Sequence, residues 1–233
     1  MPAENLPARQ NVTFASNGNE AHGYLATPSS GRGPGLVVIQ EWWGLTDHIA
    51  NLADRFAAEG FVALAPDLYG GKTTHDPEEA GKLMQALPVD RASRDLGGAV
   101  DYLLGFDGVE GSRVGAVGFC MGGAFVLALA AQQGERVGAA VAFYPVGPMP
   151  DDFSNVKATV MIQWANDDGF QPGDALDDLA AKLRAGTGRD PDINRYPAGH
   201  AFLNDENLIG THDPAQAKVA WERTVAFLHQ HLG

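Results

Sequence analysis

The stretch Arg113-Val114-Gly115-Ala116-Val117-Gly118-Phe119-Cys120-Met121-Gly122-Gly123 decides the fold. Arg113 to Gly118 is an apolar run that reads as a buried strand, and the Ala-rich stretch Gly122 to Gln132 reads as a helix. Cys120 stands on the turn between them. A strand that passes at once into a helix strains the residue at the apex, so the positions two before and two after it must lack bulk. Gly118 and Gly122 meet that demand. The pattern is a nucleophile elbow with cysteine in the serine position. The free N–H groups and positive dipole end of the helix would face the thiol and favour its ionised form. A buried, inert cysteine is the plain alternative. A dinucleotide-binding loop fails, because Gly115-Ala116-Val117-Gly118 lacks the GxG pair through which backbone approaches a pyrophosphate.

Outward from this turn the chain alternates strand and helix. Gly35–Gln40, Phe61–Ala65, Val137–Tyr144, Thr159–Trp164 and Ile193–Tyr196 are predicted strands. Helices are expected from Thr46 or Asp47 to Gly60, from Asp76-Pro77, over about Arg91 to Leu104, over Asp174–Ala185, and from Asp213-Pro214 to near Leu232. Val12–Ala15 and Gly23–Ala26 flank Asn17-Gly18-Asn19 and read as an N-terminal β-hairpin. Gly70 to Pro88 reads as a lid-like region. The order implies an α/β fold with a mainly parallel sheet and helices on both faces, whose ligands bind at the carboxyl ends of the strands.

The 233 residues, with 29 glycines and 14 prolines spread as punctuation and no internal repeat, read as a single domain over 1–233. One cysteine precludes an internal disulfide and removes zinc-ribbon and CxxC redox readings. No metal or cofactor is expected. The first ten residues lack a basic-then-apolar leader and no apolar run is long enough to span a membrane, so a cytoplasmic address is expected. A formal net charge of -13 argues against nucleic acid or anionic lipid as partners. Monomer and homodimer are both open.

A thiol nucleophile needs a base, and the base needs an orienting group; in this fold the chain order is nucleophile, acid, histidine. Of seven histidines, His200, His212, His229 and His231 follow Cys120. His200 is the candidate, because Ala198-Gly199-His200-Ala201-Phe202 is a small-residue loop directly after a strand. The acid should follow Thr159–Trp164, where Asp167 and Asp168 are adjacent and position alone does not separate them. Both could simply be turn formers.

These residues resemble the dienelactone hydrolases of the α/β-hydrolase superfamily. The resemblance rests on Gln40-Glu41-Trp42-Trp43-Gly44, Ala65-Pro66-Asp67-Leu68-Tyr69-Gly70, Gly118-Phe119-Cys120-Met121-Gly122-Gly123, Asp168 four residues before Pro172, and Gly199-His200-Ala201-Phe202. It implies a Cys120, His200, Asp168 triad and so selects Asp168. It also implies that Glu41 binds the resting thiol and takes part in generating the thiolate. The oxyanion hole would be the backbone N–H of Met121 and that of Trp42. Trp43, Tyr144, Phe202 and Asn204 are candidate substrate contacts. Members that cleave dienelactone carry an arginine four residues after the histidine, and here that position is Asn204. A neutral donor clamps a carboxylate less well than a guanidinium fork.

The expected function is cofactor-free hydrolysis of a small lactone or ester through a thioester on Cys120. The alternatives are a general carboxylesterase or thioesterase without a dienelactone preference and, from a different class, a non-catalytic redox-sensing thiol protein. The absence of a second, resolving cysteine counts against the last.

Overall fold

The computed structural model describes residues 8–233. Residues 1–7, part of the segment read for a leader, lie outside the described residues. The chain is a mixed α/β fold that groups into two compact units, Met1–Val114 and Gly115–Gly233.

In the first unit, β1 (Val12–Ser16) and β2 (Asn19–Ala26) form the expected hairpin. Asn17 (φ 44°) and Gly18 (φ 86°) both take positive φ, the backbone that a tight two-residue turn needs. β2 joins the hairpin to the next strand by pairing antiparallel with β4 (Val62–Pro66), Tyr24 opposite Ala65. β3 (Gly33–Ile39) pairs parallel with β4, Leu36 opposite Ala63. Leu36, Val37, Val38 and Ile39 are all fully buried, as a continuous apolar run in a sheet covered on both faces should be.

The helices of this unit follow their predicted signals closely. α1 (Asp47–Ala58) buries Ile49, Leu52, Ala53 and Phe56 on one face; Thr46 holds the N-cap position but makes no side-chain cap bond. α2 (Pro77–Ala86) occupies the lid-like region, and the Asp76 carboxylate accepts from Glu79 N at 2.9 Å, capping it. α3 (Val89–Gly105) begins two residues earlier than its apolar periodicity suggests, because Pro88 serves as its N-cap.

β5 (Val109–Phe119) begins in the first unit and ends in the second. The second unit continues with α4 (Met121–Gln133), β6 (Val137–Phe143), β7 (Thr159–Asp167), α5 (Ala175–Thr187), β8 (Asp192–Gly199) and α6 (Pro214–Leu232). β6 and β7 are parallel with Val141 opposite Met161, and β7 and β8 are parallel with Met161 opposite Asp192. β7 and β8 both run past their apolar cores. Their pairing continues to Asp167 opposite Gly199, across an irregularity between Ala165 and Asp167.

A buried polar network fastens α6 to these strands. Gln163, fully buried on β7, donates from Nε2 to Thr224 Oγ1 (2.9 Å) and Ala220 O (3.2 Å), and its Oε1 accepts from the Tyr196 hydroxyl at 2.6 Å. Arg223 donates to the same hydroxyl oxygen at 3.3 Å. Such groups hold a unique arrangement because each would be costly to leave unpaired. No helix among the described residues is long and apolar enough to cross a membrane.

Candidate active site

The carboxyl ends of β5, β7 and β8, all in the second unit, gather the residues singled out from the sequence. Cys120 is the N-cap of α4 with φ 56° and ψ -118°, a conformation that costs a non-glycine residue on the order of 1–3 kcal/mol. The turn persists because its surroundings over-determine it. Cys120 N donates to Phe143 O at 3.1 Å, and Cys120 O accepts from Gly123 N at 3.0 Å and Val146 N at 3.1 Å. At Gly118 a Cβ would lie 2.2 Å from Gly122 O, and at Gly123 one would lie 2.8 Å from Phe143 O. Glycine is required at both positions by close backbone approach.

Cys120 is 8% exposed. Its side chain makes no cap bond to the helix N–H groups and instead hydrogen-bonds His200. Met121 opens α4, so its N–H lies ahead of the helix's own hydrogen-bond ladder.

His200 follows the last residue of β8. Its Nδ1 lies 2.7 Å from Asp168 Oδ2, with both side chains almost wholly buried, which leaves Nε2 for the thiol. Asp168 is the aspartate that meets the imidazole, and Asp167 remains exposed on the end of β7. The second carboxylate oxygen, Oδ1, accepts from Phe170 N at 2.9 Å, so both oxygens are held. Burial acts to lower the His200 pKa, but hydrogen bonds to Asp168 and then Cys120, with the charges of both, outweigh it and push the value up from 6.5 to about 10. The imidazolium is therefore the stable form of this ring at neutral pH.

The histidine loop is itself pinned. Thr211 Oγ1 donates to His200 O, Asp213 N donates to Phe202 O at 3.0 Å, and Ala201 takes φ 57°. Around the imidazole stand aromatic rings: Tyr144 at 5.1 Å between centroids and Phe170 at 4.7 Å, with Phe202 5.5 Å from Tyr144. Tyr144, which takes φ 35°, and Phe202 are fully buried. Asn204 is buried too, and its Oδ1 accepts from Glu206 N at 2.9 Å, so that oxygen is committed to a turn.

Glu41, Trp42 and Trp43 belong to the first unit, on the loop after β3. Glu41 is 1% exposed, and the rings of Trp42 and Trp43 meet edge-on with centroids 4.9 Å apart. Two residues at the histidine were not anticipated from sequence. Thr211 gave no signal there, while Phe170, an aromatic directly after an Asp-Gly turn, was at least visible as an apolar residue out of place. Among the described residues no cluster of three or more His, Cys, Asp or Glu could hold a metal ion.

The model of the dienelactone hydrolase family matches residues 21–232. A protein of Aquifex pyrophilus named Protein usf is 38% identical over 231 residues, covering 96% of this chain and 99% of that protein. A candidate carboxymethylenebutenolidase of Aquifex aeolicus (strain VF5) is 34% identical over 231 residues, with 96% of this chain and 99% of the relative covered. The crystal structure of a candidate dienelactone hydrolase from Klebsiella pneumoniae superposes with a TM-score of 0.84 at 29% identity, covering 96% of this chain and 98% of that one. With the elbow and the histidine loop in the α/β-hydrolase arrangement and the match running through both units, the chain belongs to the dienelactone hydrolase family and is a hydrolase acting on carboxylic ester bonds.

Proposed function

We propose that the chain hydrolyses a small ester or lactone without a cofactor, through a thioester on Cys120. The observation that carries this reading is the buried His200, bonded at once to Asp168 at 2.7 Å and to the Cys120 thiol. The Cys120 thiolate attacks the carbonyl carbon; a C–S bond forms and the π pair moves onto oxygen. The Met121 N–H, and by family resemblance that of Trp42, hold this oxyanion. As the tetrahedral intermediate collapses, the C–O bond breaks and His200 gives its proton to the leaving alkoxide. Water then attacks the thioester with His200 as base, releasing the carboxylic acid and restoring thiolate and imidazolium. One water is consumed for each ester bond cleaved, and no oxidant, reductant or metal is called for.

Asp168 keeps Nδ1 protonated and the ring in place throughout. The resemblance assigns Glu41 to the resting thiol, where a carboxylate can accept the proton when substrate binds and return it to the thiolate when the product leaves. Replacing Cys120 by alanine is expected to abolish turnover of activated aryl esters and enol-lactones, and retained turnover would remove the assignment. The cytoplasmic address expected from the sequence remains part of this proposal, since a lone cysteine marks no oxidising compartment.

A second reading, a carboxylesterase with no preference for dienelactone, is favoured by Asn204, which stands at the position of the family arginine and uses its Oδ1 in a turn. Comparing kcat/KM on dienelactone and on p-nitrophenyl acetate separates the two, because a missing cationic clamp erases the advantage of the charged lactone.

A further inference from the structure

Three large apolar side chains are exposed among the described residues: Val89, Phe170 and Val219. Val89 begins α3 and Val219 lies on α6, whereas Phe170 lies on the loop that carries Asp168. Its ring is tilted 48° against the His200 imidazole at 4.7 Å, yet the residue is 53% exposed. The loop is also held in place. Phe170 N donates to Asp168 Oδ1 at 2.9 Å, and the neighbouring Gln171 side chain donates to Pro145 O.

A phenyl ring half in water forgoes hydrophobic burial, and a tethered loop that keeps it there leaves part of its apolar surface in solvent beside the imidazole. Tyr144, the other ring against His200, is fully buried and presents no face to solvent. The segments that frame the histidine, residues 118–123, 143–146, 165–172 and 198–204, contain no lysine or arginine. They do contain Asp167, exposed, and Asp168. An anionic group on the substrate would find these carboxylates there, and the one cation of these segments, the His200 imidazolium, is already held by Asp168 and Cys120.

We infer that Phe170 is a specificity-determining wall of the substrate site, and that the preferred substrate is a neutral ester carrying a flat aryl group that stacks on Phe170 beside the scissile carbonyl. This rests on the ester-hydrolase reading above and deepens it. The stack forms face to face or offset and is strongest for rings; a saturated group of similar bulk gains less from the same surface.

The test compares phenyl acetate with trifluoroethyl acetate, a small neutral ester without a ring, on the full chain and on Phe170→Ala, Phe170→Leu and Phe170→Tyr. Within each protein the ratio of the two kcat/KM values cancels general loss of activity. The ratio is expected to fall about fivefold in the alanine variant, by less in the leucine variant, and to be kept in the tyrosine variant. A ratio unchanged in both the alanine and leucine variants overturns the inference while leaving the hydrolase reading intact. In the same assay, wild type should prefer phenyl acetate to the monoanionic phenyl hydrogen succinate, and the reverse preference overturns the neutral substrate. A wild-type chain that hydrolyses none of the three esters refutes the hydrolase reading, and the inference falls with it.

Discussion

Gly118→Ala tests the steric logic of the elbow at one atom. The added Cβ would lie 2.2 Å from Gly122 O, 2.5 Å from Gly122 C and 2.9 Å from Val126 Cγ2. A Cβ essentially never approaches closer than 3.0 Å, so the Gly122 carbonyl must retreat from 2.2 Å to at least that distance. Gly122 lies in the first turn of α4, and it can move only by carrying that turn, and Cys120 before it, along. Overpacking of this kind costs about 2–3 kcal/mol. For a chain of this size that lowers Tm by roughly 4–12 °C. A nucleophile displaced by about 1 Å loses on the order of 100-fold in rate. The control is Gly81→Ala in α2, where a Cβ meets nothing within 4 Å. There alanine is expected to stabilise by about 1 kcal/mol through helix propensity. Calorimetric or circular-dichroism melting with ester turnover reads both. A Gly118→Ala chain that melts with wild type and keeps its turnover would refute the account of the turn.

Three further outcomes follow from the same site and its supports. In Asp168→Asn, His200 loses the main group that raises its pKa, so the alkaline limb of the kcat profile, expected near pH 10 in wild type, should move to lower pH while kcat falls on the order of 1000-fold; an unmoved limb would contradict the pairing. The sign carries over to stability: the share contributed by the raised His200 pKa is complete below pH 6.5 and is lost as pH rises through about 10. Thr211→Val removes the donor to His200 O and should lower kcat about tenfold with little change in KM, with Thr211→Ser restoring it; equal losses in both variants would mean the hydroxyl does not position the histidine. Gln163→Leu removes the acceptor of the buried Tyr196 hydroxyl, which keeps only the Arg223 donor, and the donor to Thr224 Oγ1, a loss of about 3 kcal/mol; an unshifted melting curve would show that the network holds nothing together.

The sequence carried the element order, the elbow and the histidine loop, because each has a local signature: an apolar run, glycines at fixed offsets, a small-residue loop after a strand. The choice between Asp167 and Asp168 had no such signature. It depends on β7 staying paired with β8 up to Asp167 opposite Gly199, so that the chain turns off the sheet one residue later, and register across strands is a tertiary property. Polar residues at the ends of β7 and β8 hid the true strand lengths for the same reason. The Gln163, Tyr196 and Thr224 network joins residues 33 and 61 positions apart and leaves no periodic trace. Phe170 was passed over because one aromatic between Gly169 and Gln171 matches neither a strand nor a helix period. The irregular φ of Tyr144 likewise ends β6 one residue short of the apolar run.

The central claim is that Cys120 carries the acyl group. Mixing the chain with p-nitrophenyl acetate, quenching in acid before one turnover is complete and mapping peptides by mass spectrometry tests it directly, since Cys120 is the only cysteine. The expected result is one acetyl group on the Cys120 peptide that neutral hydroxylamine releases, with neither adduct nor turnover in Cys120→Ala. Turnover at the wild-type rate in Cys120→Ala, with no acetyl on the wild-type peptide, would contradict it.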